Sequence, residues 1–422
     1  MLARVRAAWD EYPRQFWTLF GGTLINSLGS GLIMPFLSLY LTGRLGFSMT
    51  EVGLLFVIYA VISAVAGLAA GPLVDRLGRR PIMLFSLFGG ALATLGLGMG
   101  SLPTFGSGLA RLGWLVVVIP LAGLTGSAFT PAANAMVADL VGREQRAQAY
   151  GLLRVVQNLG IAIAPALGGL IAARSYLALF AMAAFASALY GLIALLHLHE
   201  TRPQTADEGQ AASPDALSAR GMGSILRDRV FLLFGGLCLL WQVVYAQMNT
   251  TLPVYLDRSF GVSAQWYGLL MSLNATMVVL FQFPITRLTA RRSRAAMMAV
   301  GMAFFAVGFG SFGFVRALPL FFVAQAVWTI GEMIVMPVSQ AFVADIAPET
   351  LRGSYMGLFG LTWVLGYGLG PLLGGGLMDT VGGKYIWYAA FVLNMVALAG
   401  FLLLERRMKQ RAAVPTHNLT PP

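Results

Sequence analysis

An all-α integral membrane fold of about twelve transmembrane helices, arranged as two pseudo-symmetric six-helix bundles, is the class this sequence predicts. Three observations predict it: apolar runs of bilayer-spanning length fill most of the chain, Lys and Arg crowd into alternate loops, and a long segment repeats at a fixed offset. Of the 422 residues, 58% are hydrophobic and 11% are charged, with a mean hydropathy of +0.75. A soluble domain carries roughly 25% charged residues, so most of this surface faces something other than water. Runs such as 16–41 and 52–74 meet the roughly 20-residue length that crosses a hydrocarbon core.

Between Gly, Pro and charge breaks, helices are expected near 16–41, 51–74, 82–101, 112–138, 148–172 and 176–198, then near 230–256, 265–288, 295–314, 318–342, 354–378 and 386–404. They define a first bundle over 1–199, a cytoplasmic linker over 200–229 rich in Ala, Ser, Asp and Arg, a second bundle over 230–405 and a cytoplasmic tail over 406–422. No removable signal peptide is read in the first residues, because charges there are not followed by a short apolar core and cleavage site.

The net charge of +11 belongs to topology rather than to nucleic acid. With both termini placed in the cytoplasm, inside loops hold 21 Lys and Arg and outside loops hold 6, the asymmetry of the positive-inside rule. No exposed basic domain exists to carry nucleic-acid binding. The single cysteine, Cys238, precludes an intramolecular disulfide.

Sliding 131–169 onto 337–375, a shift of 206, matches 14 of 39 positions without a gap. The matches include Pro131/Pro337, Asp139/Asp345, Arg146/Arg352, Gly151/Gly357, Gly160/Gly366, Pro165/Pro371, Gly168/Gly374 and Gly169/Gly375. Shared apolar composition does not align such a scaffold, so the fourth and fifth helices correspond to the tenth and eleventh. In transporters built from two parallel repeats the substrate site lies near the midplane at the repeat interface.

The loop after the second helix reads Gly71, Pro72, Leu73, Val74, Asp75, Arg76, Leu77, Gly78, Arg79, Arg80. With these residues the chain resembles the major facilitator superfamily. The resemblance implies a conformational gate made of Gly71, Asp75, Arg76, Gly78, Arg79, Arg80 and Asp139: Asp75 facing the start of the eleventh helix near Ser354, Arg79 meeting Asp139, and the two halves latched. The equivalent second-half loop, 284–292, keeps basic residues but lacks the Asp, so an asymmetric latch is expected.

Gly160, Pro165, Gly168 and Gly169 on the fifth helix, with Gly366, Gly370, Pro371, Gly374 and Gly375 on the eleventh, are similar to the motif of the drug:proton antiporter branch, in particular the MdtH-like multidrug exporters. Ala164 stands where that motif places a Gly, and Ala122 where those antiporters place an intramembrane Arg. Small residues let helix backbones touch. The first helix, with Leu28, Gly29 and Pro35, is similar to the same branch but carries Leu37 in place of its final Pro.

Two ionisable residues fall inside apolar runs. Glu332 lies near the middle of the tenth helix, and Arg154 about two turns into the fifth. A charge at the bilayer centre costs at least about 2.5 kcal/mol, so each needs a role. Desolvation favours the protonated form of Glu332, which makes it the proton-coupling candidate against a purely structural glutamic acid. Arg154 is shallow enough to snorkel. Neutral polar side chains outline a substrate cavity: Asn26, Asn134, Gln242, Tyr245, Gln247, Asn249 and Asn274, with Trp328. The alternative for each is helix-to-helix hydrogen bonding. His197, His199 and Glu200 superficially resemble a metal cluster, but no further ligand is near in sequence; neither metal nor cofactor is expected.

Together these readings point to a proton-coupled secondary transporter expelling amphipathic small molecules from the bacterial inner membrane by alternating access, a monomer whose partners are the lipid bilayer, the substrate and protons. A sugar or organic-acid permease is the alternative; the latter would favour a central basic residue, for which Arg154 is the candidate. Against a membrane enzyme stands the lack of paired carboxylates or a Ser/His arrangement, and against a transport-dead sensor the intact gate motif.

Overall fold

The structure is a computed structural model and describes residues 12–102, 108–142, 144–202, 225–348 and 351–413. Most of the expected linker, 203–224, and the end of the expected tail, 414–422, lie outside the described residues. Among the described residues, twelve helical segments are long and apolar enough to cross a membrane. In the first half these are Arg14–Arg44, Met49–Leu77, Arg79–Met99, Leu109–Leu140, Gln148–Ala172 and Tyr176–His197. The second half supplies Arg229–Ala246, Ala264–Thr289, Arg294–Ser311, Leu318–Ile346, Ser354–Thr380 and Gly383–Gln410.

Helix starts follow local chemistry. Ser48 and Glu51 form a reciprocal capping box at the second helix: the Ser48 Oγ accepts from the Glu51 N–H at 3.2 Å, and the Ser48 N–H donates to Glu51 Oε2 at 2.8 Å. Each satisfies a backbone donor that has no partner in the first helical turn. Ser175 and Ser293 cap the sixth and ninth helices one way only, their hydroxyls accepting from the N–H groups of Ala178 and Ala296.

Two spans are less regular than their hydropathy implies. The first is helical over Arg14–Ile33, turns at 34–36 around Pro35, and continues through Leu37–Leu39 into a wide π turn, Tyr40–Arg44. The seventh, expected as one helix over 230–256, is broken: Arg229–Ala246 is followed by a turn at 247–250 and a short helix, Thr251–Phe260. At that break the Gln247 carbonyl accepts from the N–H groups of Thr250, Thr251 and Leu252, and Pro253 has no N–H to lend to a continuous helix. The twelfth helix runs on to Ala413, into the segment expected as tail, where Lys409 pairs with Glu405 one turn earlier at 2.9 Å.

The chain forms two compact units. One comprises the described residues up to 202 with Gln247–Ala275 and Tyr367–Thr380; the other comprises 225–246, Thr276–Gly366 and the described residues from Val381 onward. Within the first unit, backbones approach closely at small residues. A side chain on Gly375 would collide with the Met49 carbonyl, one on Gly53 with the Leu372 backbone, and one on Gly268 with the Pro165 carbonyl. A Cβ on Gly169 would stand 2.7 Å from the Ala264 carbonyl, and one on Gly160 would stand 2.7 Å from Ser27 Cβ. Asp379 at the end of the eleventh helix accepts from the N–H of Thr50 at 2.7 Å and from its hydroxyl at 2.8 Å, covering the start of the second helix. A carboxylate is favoured there by the helix dipole. The second unit holds a dense aromatic core including Trp241, Phe234, Phe305, Phe309, Trp328 and Trp387, all fully buried.

Gly160→Val forces a branched side chain into the first helix, and overpacking of this kind costs about 1–3 kcal/mol. The variant is expected to lower the apparent melting temperature of the detergent-purified protein, whereas Gly21→Ala, where no atom lies within 4 Å of the added Cβ, leaves it unchanged or raised.

Candidate functional site

The turn between the second and third helices is built around Gly78, whose φ of 102° suits glycine alone among ordinary residues. A Cβ there would stand 2.5 Å from Glu200 Oε2. Glu200, just beyond the sixth helix, closes the start of the third: its Oε1 accepts from the Arg79 N–H at 3.0 Å and its Oε2 from the Arg80 N–H at 3.1 Å. The N–H groups of Thr201 and Arg202 also donate to Oε1, at 3.0 and 2.9 Å. Burial pushes the Glu200 carboxyl up, but these four backbone donors outweigh it and hold the group below its ordinary value.

Arg79 Nε donates to Asp139 Oδ2 at 2.9 Å and Arg79 Nη1 lies 3.5 Å from Asp75 Oδ1. Thr201 Oγ1 donates to the same Asp139 oxygen at 3.0 Å. Arg80 Nη2 donates to the Leu195 carbonyl at 2.5 Å, and Arg202 Nη1 to the Arg76 carbonyl at 2.6 Å. Arg79, Asp139 and Glu200 belong to one compact unit, so the Arg79–Asp139 pair fastens the second, third, fourth and sixth helices of that unit to each other. The sequence had cast this pair as a latch between halves; the structure makes it a clamp within one. The Asp75 side chain is 73% exposed. Gly71 lies inside the second helix with no atom within 4 Å of an added Cβ, so no close helix contact requires it.

The second half carries a counterpart that its degenerate loop concealed. Arg294 Nε donates to Asp345 Oδ2 at 3.3 Å, and Ser293, the cap of the ninth helix, is hydrogen-bonded to Glu405. Asp345 is the repeat partner of Asp139, and Glu405 lies inside the twelfth helix, which runs on to Ala413. The second half differs in lacking an Asp75 equivalent and in its carboxylate, which accepts from the Ser293 hydroxyl. The offset of the Asp pair was a usable signal; the role of Glu200 had none, because its partners are backbone atoms. No group of three His, Cys, Asp or Glu residues able to hold a metal occurs among the described residues. His199 donates its N–H to Gln15 Oε1 at 2.8 Å, and His197 Nδ1 lies 3.3 Å from the Ile193 carbonyl.

Glu332 is 9% exposed, midway along Leu318–Ile346. The Tyr245 hydroxyl donates to its Oε1 at 2.7 Å. The Tyr245 ring lies among Trp241, Phe305, Trp328 and Trp363, with centroids 5.7–6.4 Å away. Trp328 donates through Nε1 to Gln325 Oε1 at 3.1 Å. Gln242, fully buried one turn before Tyr245, has no partner for either amide atom among the described residues.

The remaining polar residues disperse. Gln247 donates to the Gly370 carbonyl at 2.7 Å and accepts from Thr251 Oγ1 at 2.8 Å, a bond that braces the break in the seventh span. A side chain on Gly374 would collide with that same Gln247 amide. Around Gly366 the Gln242 side chain packs 2.7 Å from an added Cβ, and around Gly168 the Phe36 ring does so at 2.7 Å. Pro165 and Pro371 remain inside continuous helices. Asn249 and Asn274 are half-buried, while Asn134 and Arg154 are exposed. Asn26 is the one sequence-predicted cavity residue that lines the cavity of about 370 Å³ inside the first six spans; Ala122 lines it too.

Twelve bilayer-length helices, with a buried carboxylate that accepts from a tyrosine hydroxyl, define a polytopic membrane protein. The Major Facilitator Superfamily profile matches residues 19–265 and 248–420, and the chain belongs to that superfamily. It is thus a multi-pass secondary transporter, of a family of transporters and not of enzymes. Its relatives include an uncharacterized MFS-type transporter, YttB, of Bacillus subtilis, 29% identical over 94% of this chain and 96% of the relative. A Na(+), Li(+), K(+)/H(+) antiporter of Planococcus maritimus is 26% identical over 93% and 96%, and the multidrug resistance protein MdtH of Aeromonas hydrophila is 25% identical over 92% and 94%. Among solved structures, the nucleoside transporter NupG superposes with a TM-score of 0.75 at 15% identity over 94% of this chain and 100% of that one. A bacterial homolog of the human lysosomal transporter Spinster does so with a TM-score of 0.73 at 16% identity, over 93% and 96%. These two share the fold.

Glu200→Gln tests the clamp. A carboxyl held below its ordinary value contributes stability above that value and loses it as pH falls through the folded-state value. Wild type is expected to melt above the variant at neutral pH, and the two curves to converge below the ordinary glutamate value of 4.5.

Proposed function

We propose that this transporter exchanges protons for amphipathic small organic molecules across a bacterial cytoplasmic membrane, with both termini on the cytoplasmic side. The observation that carries the reading is the Glu332 carboxylate, buried and held by the Tyr245 hydroxyl at 2.7 Å. A hydroxyl bonded to an ionised carboxylate is roughly twice as strong a bond as one to a neutral group. Proton arrival at Glu332 weakens the tie to Tyr245, which sits at the end of Arg229–Ala246, next to the break in the seventh span. Titration of one group is thereby transmitted to a hinge-like segment. In this reading Gly71, Asp75, Arg76, Gly78, Arg79, Arg80 and Asp139 form a conformational gate in which the exposed Asp75 changes partners, and the MdtH relative supports an organic substrate. The relative from Planococcus maritimus favours a second reading, in which an inorganic monovalent cation takes the place of the organic one.

Proteoliposomes loaded with a pH dye test both readings. Substrate-dependent proton movement is expected to be lost in Glu332→Gln and slowed about tenfold in Tyr245→Phe, the loss of one charge-assisted hydrogen bond; equal proton flux in wild type and Glu332→Gln removes Glu332 from the mechanism. Proton movement driven by Na⁺ or K⁺, and not by organic compounds, selects the second reading. Asp75→Asn is expected to insert normally and to turn over more slowly, read as initial rate against protein amount; an unchanged rate counts against the gate.

A further inference from the structure

The cavity within the first six spans is lined from every one of them: Asn26, Tyr59, Thr94, Thr130, Gln157 and Ser187 contribute one residue per helix in chain order. It is a space inside one six-helix bundle, of about 370 Å³, a volume within the range of small-molecule sites. Its lining includes no Asp, Glu, Lys, Arg or His. Arg154 lies one turn before Gln157 on the fifth helix but is not part of the lining. Hydroxyl and amide groups alternate there with the rings of Phe56, Tyr59 and Phe129.

We infer that this cavity binds an uncharged amphipathic solute. An ion moved there would give up its hydration with no opposite charge to replace it, a far larger penalty than a neutral hydroxyl or amide suffers. A neutral polar group recovers its lost water bonds from the lining. The Asn26 Oδ1 takes a contact from Ser187 Oγ at 3.4 Å, while its amide donors and both ends of the Gln157 amide make no hydrogen bond with another described residue. Rings on the solute find Phe56, Tyr59 and Phe129. The inference deepens the exchange reading above and, for its electrical consequence, rests on it: each proton entering against an uncharged solute carries its positive charge across uncompensated, so membrane potential alone drives export.

Equilibrium binding to the purified full chain tests the cavity. The probes are radiolabelled chloramphenicol and p-nitrophenyl glucoside, both uncharged, tetraphenylphosphonium as a cation and naphthalenesulfonate as an anion. At least one uncharged probe is expected to bind about tenfold more tightly than either ion, and Asn26→Leu or Gln157→Leu to weaken it about tenfold. Ala122→Asp, which places a carboxylate in the lining, is expected to shift preference toward tetraphenylphosphonium. Tighter binding of an ion than of either neutral probe, no binding of a neutral probe, or neutral binding indifferent to all three substitutions overturns the inference. In proteoliposomes a potential imposed with valinomycin and K⁺ is expected to drive the bound neutral probe. Cavity-dependent binding without potential-driven movement upholds the binding site and overturns proton exchange, so the two failures are distinct.

Discussion

The hydrocarbon core offers no water to backbone amides, and each unsatisfied group there costs several kcal/mol. Every architectural feature of this chain answers that constraint. Polar backbone is folded into bilayer-length helices, and Ser caps and carboxylates satisfy the ends. At both irregular places a side chain ties the segment to a neighbouring helix. At the break after Ala246, the Gln247 carbonyl gathers three N–H groups while its side chain holds the Gly370 carbonyl. At the first span, Tyr40 donates its hydroxyl to the Leu97 carbonyl at 2.7 Å, which anchors the wide turn to the third helix.

The same constraint governs side chains. Glu332 accepts from Tyr245, whose own ring is packed among Trp241, Phe305, Trp328 and Trp363. The cavity in the first bundle is tolerated because its polar groups are neutral. Charge gathers near helix ends: Glu200, Arg79 and Asp139 tie adjacent helices in one half, and Arg294 with Asp345 and Ser293 with Glu405 do so in the other. Exposed ion pairs contribute little stability singly; here they tie neighbouring helices of the same half to one another.

Much of this was legible before any coordinates. Span count, the 131–169 repeat, the Asp75 to Arg80 signature and the isolation of Glu332 are all local patterns, read from a window of one or two helices. The Arg79–Asp139 contact was legible as well, through the family resemblance. What the windows hid was partnership. Gln247 reads as a cavity residue and is a brace; Asn134 reads the same way and is exposed, its carbonyl taken by Tyr150 at 2.9 Å. Glu200 reads as a stray linker charge and caps a helix more than a hundred residues earlier.

The sequence by itself determined that this chain crosses a bilayer many times as two related halves, because burial in lipid imposes length, apolarity and loop charge on each span independently. Only the tertiary structure decided that Tyr245 answers Glu332 across 87 residues of chain, that the second half pairs Arg294 with Asp345, and that six helices each contribute to an uncharged cavity. Such meetings depend on how helices rotate and cross as they pack, and no single helix carries that information.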